Sequence, residues 1–196
     1  MLFSSSYLSG LLWKSDGTAA GTQLLLDSQS GKPLLVNNEG FFRANNRVFF
    51  RSNSSSLGTS DGTSAGTQVL HVWPSIGELG RFTSAQGKVF FFITLSEGTN
   101  NSTELWQSDG SVAGTQRVKT ITTSSLSLPA EAVAVGNVIF FRIGTQLWRS
   151  NGTESGTQPI LTLLSSTKAY LVSYAGMLYY HDSFQVLPGL ISNKAY

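Results

Sequence analysis

Short apolar runs rich in aromatic residues recur along the whole chain. Between them lie polar stretches rich in Ser, Thr, Gly and Asn. Short runs of aromatic and β-branched residues are typical of strands. Because no segment keeps a helical spacing of apolar positions over three turns, the pattern predicts an all-β protein. The runs stand at Met1–Phe3, Val48–Phe50, Val89–Phe91, Ile139–Phe141 and Leu178–Tyr180.

Turn-forming dipeptides precede the last four of these runs. Asn45-Asn46 and Gln86-Gly87 contain residues that tolerate positive φ, as tight hairpin loops require. Gly136-Asn137 and Ala175-Gly176 occupy the same place before the later runs. Each of these runs is therefore predicted to form the second strand of an antiparallel hairpin. In the second unit we expect four strands, at 40–44, 47–51, 57–59 and 67–72.

A longer phrase repeats four times and sets the architecture. Each copy begins with Leu followed by Trp or Gly. It continues with Ser-Asp-Gly or Ser-Asn-Gly and ends with Gly-Thr-Gln. Successive Asp or Asn positions in the phrase are 45, 48 and 42 residues apart. Repeated four-stranded units of about 45 residues indicate the blades of a β-propeller. The four copies are Leu12–Gln23, Leu57–Gln68, Leu105–Gln116 and Leu147–Gln158.

We therefore predict one domain over residues 1–196, a small β-propeller, with a β-solenoid or prism as the alternative fold. The five aromatic runs favour five blades, although a four-bladed ring with an additional N-terminal hairpin also fits the length. In the fifth unit Pro188-Gly189 stands where the Ser-Asp-Gly turn would be, so that turn is expected to be missing. The predicted units are 1–32, 33–77, 78–128, 129–167 and 168–196.

Composition and charge exclude several classes of function. Only 12% of residues are charged and the net charge is +2, without a cluster of Lys or Arg. Such a chain lacks the basic surface that tracks phosphates, so we expect no nucleic-acid partner. The absence of cysteine excludes disulfides and thiolate metal sites. No apolar stretch approaches the roughly 18 residues of a membrane helix, so no membrane insertion is expected. The N-terminus also lacks the basic start of a signal peptide.

The phrase Glu104-Leu105-Trp106-Gln107-Ser108-Asp109-Gly110 resembles the ELWxxDGT repeat, which occurs in tandem in large bacterial surface or secreted proteins. The resemblance covers nearly the whole chain, with Gly58 and Asn151 as departures from the pattern. It implies a secreted or cell-surface location and is silent on activity. The turn also resembles the Asp-box of sialidase-type propellers. That resemblance implies a structural hairpin turn that lies away from the catalytic face.

Elementary chemistry gives the repeated turn a structural role. An Asp or Asn side chain accepts hydrogen bonds from backbone N–H groups two residues on, and the following Gly takes a positive φ. Calcium binding is the alternative, but it needs several oxygen ligands and each turn offers only one carboxylate. We therefore expect no cofactor and no metal. The predicted turn residues are Asp16, Gly17, Asp61, Gly62, Asp109, Gly110, Asn151 and Gly152.

Four tryptophans are the candidate ligand-binding residues. Trp13, Trp106 and Trp148 recur once per unit. They could fill the space between neighbouring blades or form repeated stacking platforms for sugars, and packing is favoured because aromatic residues dominate core energetics. Trp73 lies outside the repeated phrase and precedes Pro74, so we expect it to be the exposed contact among the four.

The histidines and glutamates of this sequence form no recognisable catalytic arrangement. His71 and His181 belong to no metal-spaced pair, and the glutamates stand at unlike positions in the units. An arginine cluster could clamp a carboxylate, as in sialidases. The arginines considered for such a cluster are Arg43, Arg51, Arg81 and Arg142.

These observations favour a non-enzymatic binding module. Loops rich in hydroxyl and amide groups, beside aromatic strands, supply the hydrogen bonds and stacking faces that sugar recognition uses. We expect a carbohydrate-binding, lectin-like or adhesive propeller, with sites in loops or clefts between blades and with glycans or surface proteins as partners. The alternative is a structural or protein-interaction repeat module of a larger surface protein. A glycosidase-type enzyme has the least support, and no catalytic residue is predicted.

Overall fold

A computed structural model defines the architecture of the chain. All regular structure in its described part is β-strand, without a helix, which confirms the predicted all-β class. In the same described part, no helix is long and apolar enough to cross a membrane. The described residues are 2–3, 9–53, 55–74, 76–97, 100–122, 128–164 and 170–181, so Pro188-Gly189, the predicted site of the missing fifth turn, lies outside them.

In these described ranges the strands form five antiparallel sheets, here named sheets I to V in chain order. Sheet I contains β1 (Leu2–Phe3), β3 (Trp13–Lys14) and β4 (Gln23–Leu24), whereas β2 (Ser9–Leu11) joins sheet II. Sheet II continues with β5 (Leu35–Ala44), β6 (Arg47–Ser52), β7 (Ser56–Ser60) and β8 (Gln68–Val72).

Sheets III and IV each consist of four strands that pair in chain order, and sheet V is a hairpin. Sheet III comprises β9 (Leu79–Ala85), β10 (Lys88–Glu97), β11 (Asn100–Ser108) and β12 (Gln116–Thr122). Sheet IV comprises β13 (Ala132–Val135), β14 (Val138–Ile143), β15 (Gln146–Ser150) and β16 (Gln158–Thr162). Sheet V comprises β17 (Tyr170–Tyr174) and β18 (Met177–His181).

One strand segment links the first two sheets in a way that the repeat did not predict. Ser9–Leu11 pairs with Leu35–Asn37 at the edge of sheet II. Two residues later, Trp13–Lys14 pairs within sheet I. The same stretch of chain therefore contributes to both sheets and joins them by backbone hydrogen bonds.

The aromatic pairs explain how successive sheets stack. Neighbouring residues of a strand point to opposite faces of the sheet. Two consecutive aromatic residues therefore pack against two different neighbouring sheets. Phe50 packs with Leu12 and Leu25, which flank β3 and β4 of sheet I, whereas Phe49 packs with residues of sheet III. In sheet III, Phe91 faces sheet II and Phe90 faces sheet IV. The core therefore lies between consecutive sheets, and the closure of the stack into a ring of four or five blades stays a prediction.

The first hairpin of the second to fifth units uses the predicted turn residues. Asn45 and Asn46 both adopt positive φ, of 51° and 58°. Gln86-Gly87 and Ala175-Gly176 do the same, as tight hairpin loops with a matching twist require. At Gly136-Asn137 only the glycine has a positive φ.

A bulge recurs between the last two strands, in chain order, of sheets II, III and IV. In each, the register shifts at the Leu of the repeated phrase, between Leu57 and Gly58, Leu105 and Trp106, and Leu147 and Trp148. Bulges increase the local right-handed twist. The recurrence shows that the strand after the turn follows the same geometry in all three sheets.

Candidate functional site

The repeated turn is closed by its own side chains, as the third copy illustrates. The Oδ1 atom of Asp109 accepts hydrogen bonds from the backbone N–H and the hydroxyl of Ser111, at 2.8 and 2.7 Å. The hydroxyl of Ser108 accepts from the N–H of Gly110 at 3.1 Å and lies 2.7 Å from the Thr115 hydroxyl. The other three copies repeat these contacts. The turn is therefore a self-contained hydrogen-bonded unit.

The geometry of the turn requires glycine at two positions. Gly110 adopts a φ of +94°, a conformation that residues with a Cβ rarely take. Gly114 instead lies against the carboxylate of Asp109, so that a Cβ there would be 2.1 Å from Oδ1. Equivalent clashes would occur at Gly21, Gly66 and Gly156.

Asn151 shows that the carboxylate charge is dispensable for the turn. Its Oδ1 accepts the same two bonds from Thr153, at 3.1 Å from the N–H and 2.7 Å from the hydroxyl. In the charged copies these bonds lower the carboxylate pKa. The Thr18 N–H lowers the pKa of Asp16 most, and the Ser111 hydroxyl lowers the pKa of Asp109 most. Within the described ranges, no group of three or more His, Asp or Glu side chains is placed to hold a metal ion.

The turns also bond to the preceding sheet. The side-chain amide of Gln86, in sheet III, donates to the carbonyls of Asn137 and Asn151 at 2.5 and 3.0 Å. The Lys119 ammonium donates to the carbonyl of Thr157 at 2.9 Å. Polar contacts at the turn end therefore join sheets III and IV alongside their apolar interface.

Two tryptophans of the repeated phrase, Trp106 and Trp148, lie between neighbouring sheets. Trp106 stands opposite Phe91 in the sheet, with the ring centres 6.4 Å apart, and it is only 8% exposed. Trp148 stacks in the same way on Phe141, at 6.0 Å, and is half-buried, as is Trp13. The packing role is thus realised at Trp106, whose ring offers little surface to a ligand.

The prediction that Trp73 is an exposed contact is wrong. Its side chain is 4% exposed and packs at the interface of sheets II and III, 5.1 Å from the ring of Trp106. His71 lies against both indoles, at 4.6 and 4.8 Å. Burial lowers the pKa of His71, and the nearby Glu104 opposes that shift. The chain after β8 turns back over the sheet interface, and the sequence outside the repeat could not reveal this path.

Glu104 is a buried carboxylate that the sequence did not single out. It is 4% exposed, and it accepts from the indole N–H of Trp106 at 2.8 Å. Arg117 and Thr120 donate to its other oxygen at 2.9 and 3.0 Å. Residues two apart on a strand share a face, so the Glu-Leu-Trp order contained a signal for the first of these contacts. Its partners make Glu104 a structural residue.

The arginines do not gather in one place. Arg43 lies beside sheet I, whereas Arg51 and Arg81 line a cavity of about 340 Å³ together with Glu78. Arg142 is buried and donates to the carbonyl of Gly144 at 2.9 Å. The four side chains considered as a carboxylate clamp are therefore divided among three locations.

An open cleft of about 590 Å³ separates sheets I and II at the end where the repeated turns lie. Phe41 and Val48 give it an apolar floor, and charged and amide side chains form its rim. The Asp-box resemblance implied a site away from the turns, but this cleft lies beside two of them. Its polar lining includes Lys14, Asp16, Gln23, Arg43, Asn46, Arg47 and Asp61.

The cleft exists because no residue packs against the glycine in the turn of the second unit. A Cβ at Gly152 would lie 3.3 Å from the ring of Phe90, and one at Gly110 would lie 2.8 Å from the Arg47 side chain. At Gly62 nothing lies within 4 Å. The sequence carries a signal for this difference, since the first unit has Leu2 where the next three units have a phenylalanine.

Comparisons with known proteins give a distant structural similarity. Neither a protein-family model nor a curated protein sequence matches the chain. The chain is similar to the crystal structure of BamB from Moraxella catarrhalis, with 14% sequence identity and a TM-score of 0.46. The match covers 92% of this chain and 53% of that structure, so the chain spans about half its length.

Proposed function

We propose that the protein is a non-enzymatic carbohydrate-binding module and that the cleft between sheets I and II is its binding site. The observation that carries this proposal is the pairing of an apolar floor, Phe41 and Val48, with a polar rim. Small-molecule sites typically combine apolar walls with a few polar groups that fix orientation. A sugar ring offers both a C–H face and hydroxyl groups to such a surface.

The rim divides into supporting and ligand-facing groups. Arg47 is held by the wall, because its guanidinium donates to the Gly66 carbonyl at 2.5 Å and to the Thr59 hydroxyl at 3.2 Å. The Asp61 carboxylate accepts hydrogen bonds from Thr63 within its own turn. Lys14 and Arg43 remain as cationic donors at the rim, where they would donate to sugar hydroxyls or to a carboxylate.

The same proposal includes a propeller built from the stacked sheets, located at the cell surface or secreted. Sheets that stack face to face in chain order support the blade arrangement, and the resemblance to tandem surface repeats supports the location. The alternative function is a structural or protein-interaction module. An exposed aromatic face on sheet V favours that alternative as an additional property.

A glycan array followed by calorimetry tests the proposal. We expect the intact chain to bind a subset of glycans, and the Lys14→Ala/Arg43→Ala variant to lose at least tenfold in affinity. Lys32→Ala removes an exposed cation of the first unit outside the cleft and should bind like the native chain. Binding that survives the double variant, or an array without any bound glycan, would refute the assignment.

A further inference from the structure

Sheet V presents an aromatic outer face. Tyr170, Val172 and Tyr174 alternate along β17, so they point the same way. Tyr179 lies opposite Val172, and Met177 lies opposite Tyr174, which places both on that face. The three tyrosines are 63%, 72% and 50% exposed. Contiguous exposed apolar surface of this kind marks an interaction site.

The inner face of the same hairpin is already used. Leu171 and Leu178 pack against Leu147 of sheet IV and Leu163, which follows β16. Sheet V therefore stacks on its predecessor as the earlier sheets do. Tyr179 is the first residue of its aromatic pair, like Phe49 and Phe90, which are buried against the sheet that follows theirs. By this equivalence the outer face of sheet V is built to receive a further sheet.

Sheet I has the complementary face at the other end of the stack. Leu12 and Leu25 pack towards sheet II. Trp13 of β3 and Leu24 of β4 are the chain neighbours of these two leucines and stand opposite each other in register, so they face away from sheet II. In sheet III the residue equivalent to Trp13 is Trp106, which packs against the preceding sheet. In the described part of the chain, sheet I has no preceding sheet.

We propose that the tyrosine face of sheet V binds the Trp13 face of sheet I in a second copy of this chain. The contact continues the internal interfaces, in which one sheet's first aromatic residue meets the tryptophan face of the next. The chain's own sheet I does not cover the tyrosines, because they are exposed. The proposed propeller would therefore close between two copies and not within one chain. Tyrosine in place of phenylalanine suits an interface that is exposed in one state and buried in another.

Such a contact is head-to-tail, so copies either close into a ring or extend into a filament. Each tyrosine supplies about 150–250 Å² at most, whereas a stable interface buries about 800 Å² per partner. The three rings therefore cover part of one contact, and the rest comes from the neighbouring strands. A closed pair of copies would contain two such contacts.

Sedimentation of the 196-residue chain over a concentration series tests the contact. We expect the native chain to associate as concentration rises, and Tyr174→Ser/Tyr179→Ser to remain monomeric. Val112→Ser removes an exposed apolar residue of the third turn, away from both faces, and should associate like the native chain. A native chain that stays monomeric, or a double variant that still associates, overturns the proposal.

Complementation distinguishes head-to-tail contact from tyrosine faces pairing with each other. Leu24→Lys alters the sheet I face and leaves the tyrosines intact, so this variant should also be monomeric alone. Mixing it with the tyrosine variant should restore association, since each supplies the face that the other lacks. Association of Leu24→Lys alone, or a mixture that stays monomeric while circular dichroism shows both partners folded, overturns the head-to-tail geometry.

Discussion

The ring of Phe50 lies over the Cα of Gly58, its partner on the neighbouring strand, where the first, third and fourth units carry tryptophan. A Cβ at Gly58 would be 2.3 Å from Cε2 of Phe50. In sheets III and IV the same cross-strand position holds Trp106 and Trp148. The second unit therefore keeps an aromatic ring at this place although its sequence lacks the tryptophan, because Phe50 turns over the glycine.

Gly58→Ala should destabilise the protein by about 1–3 kcal/mol, since the added methyl group overpacks a buried ring. Urea denaturation gives the free energy of unfolding. Phe50→Leu in the same chain should relieve part of the clash, so the double-mutant cycle should show a coupling energy between the two sites. Additive effects would show that the ring and the glycine do not depend on each other.

Trp106→Ala should cost about 3–5 kcal/mol, as truncation of a buried aromatic residue does. The change also removes the indole donor to Glu104, a buried carboxylate. Trp148→Ala, at the equivalent but half-buried position, should cost less. Thermal melts and glycan binding on both variants decide between packing and ligand contact. A Trp106→Ala protein that keeps its melting temperature but loses glycan binding would show that the indole is a binding platform.

Asp109→Asn should have little effect on stability, because Asn151 makes the same bonds in the fourth turn. Asp109→Ala should destabilise by on the order of 1–2 kcal/mol through the two lost acceptor bonds. Melting temperatures with and without EDTA separate a turn from a metal site. A large fall with EDTA, matched by Asp109→Asn without it, would indicate that calcium holds the turn.

Gly114→Ala should unfold or strongly weaken the third turn, because the new Cβ would meet the Asp109 carboxylate at 2.1 Å. Ala113→Ser, one residue earlier on an exposed position, is the matched control. Hydrogen exchange of the turn amides measures the effect locally. Unchanged protection in Gly114→Ala would mean that the carboxylate can move aside at no cost.

Lowering the pH from about 7 to 5 should reduce stability through His71. Its pKa is lowered below 6.5 by burial, so the unfolded chain takes up the proton before the folded one. The stabilising contribution is complete above pH 6.5 and declines as the pH falls below it. His71→Gln should flatten this part of the curve of melting temperature against pH. Identical curves for the two proteins would rule out His71 as the source.

Local features of the fold were predictable because they depend on neighbouring residues. The turn bonds of Asp109 and Ser111 span a few positions, and the positive φ at Asn45-Asn46 follows from hairpin geometry. The all-β class followed from the short apolar runs. Alternation along each strand also accounts for the opposite directions of two consecutive aromatic residues.

Contacts between sheets determine the features that could not be predicted from the sequence. Whether Trp73 is buried depends on the path of the chain after β8, and the filling of the Gly58 position depends on the ring of Phe50 from another strand. The cleft beside Gly62 depends on what sheet I leaves uncovered. These are long-range relationships between residues far apart in the chain. A repeated motif determines the local geometry of each sheet, and the packing of one sheet on the next determines which side chains remain available for binding.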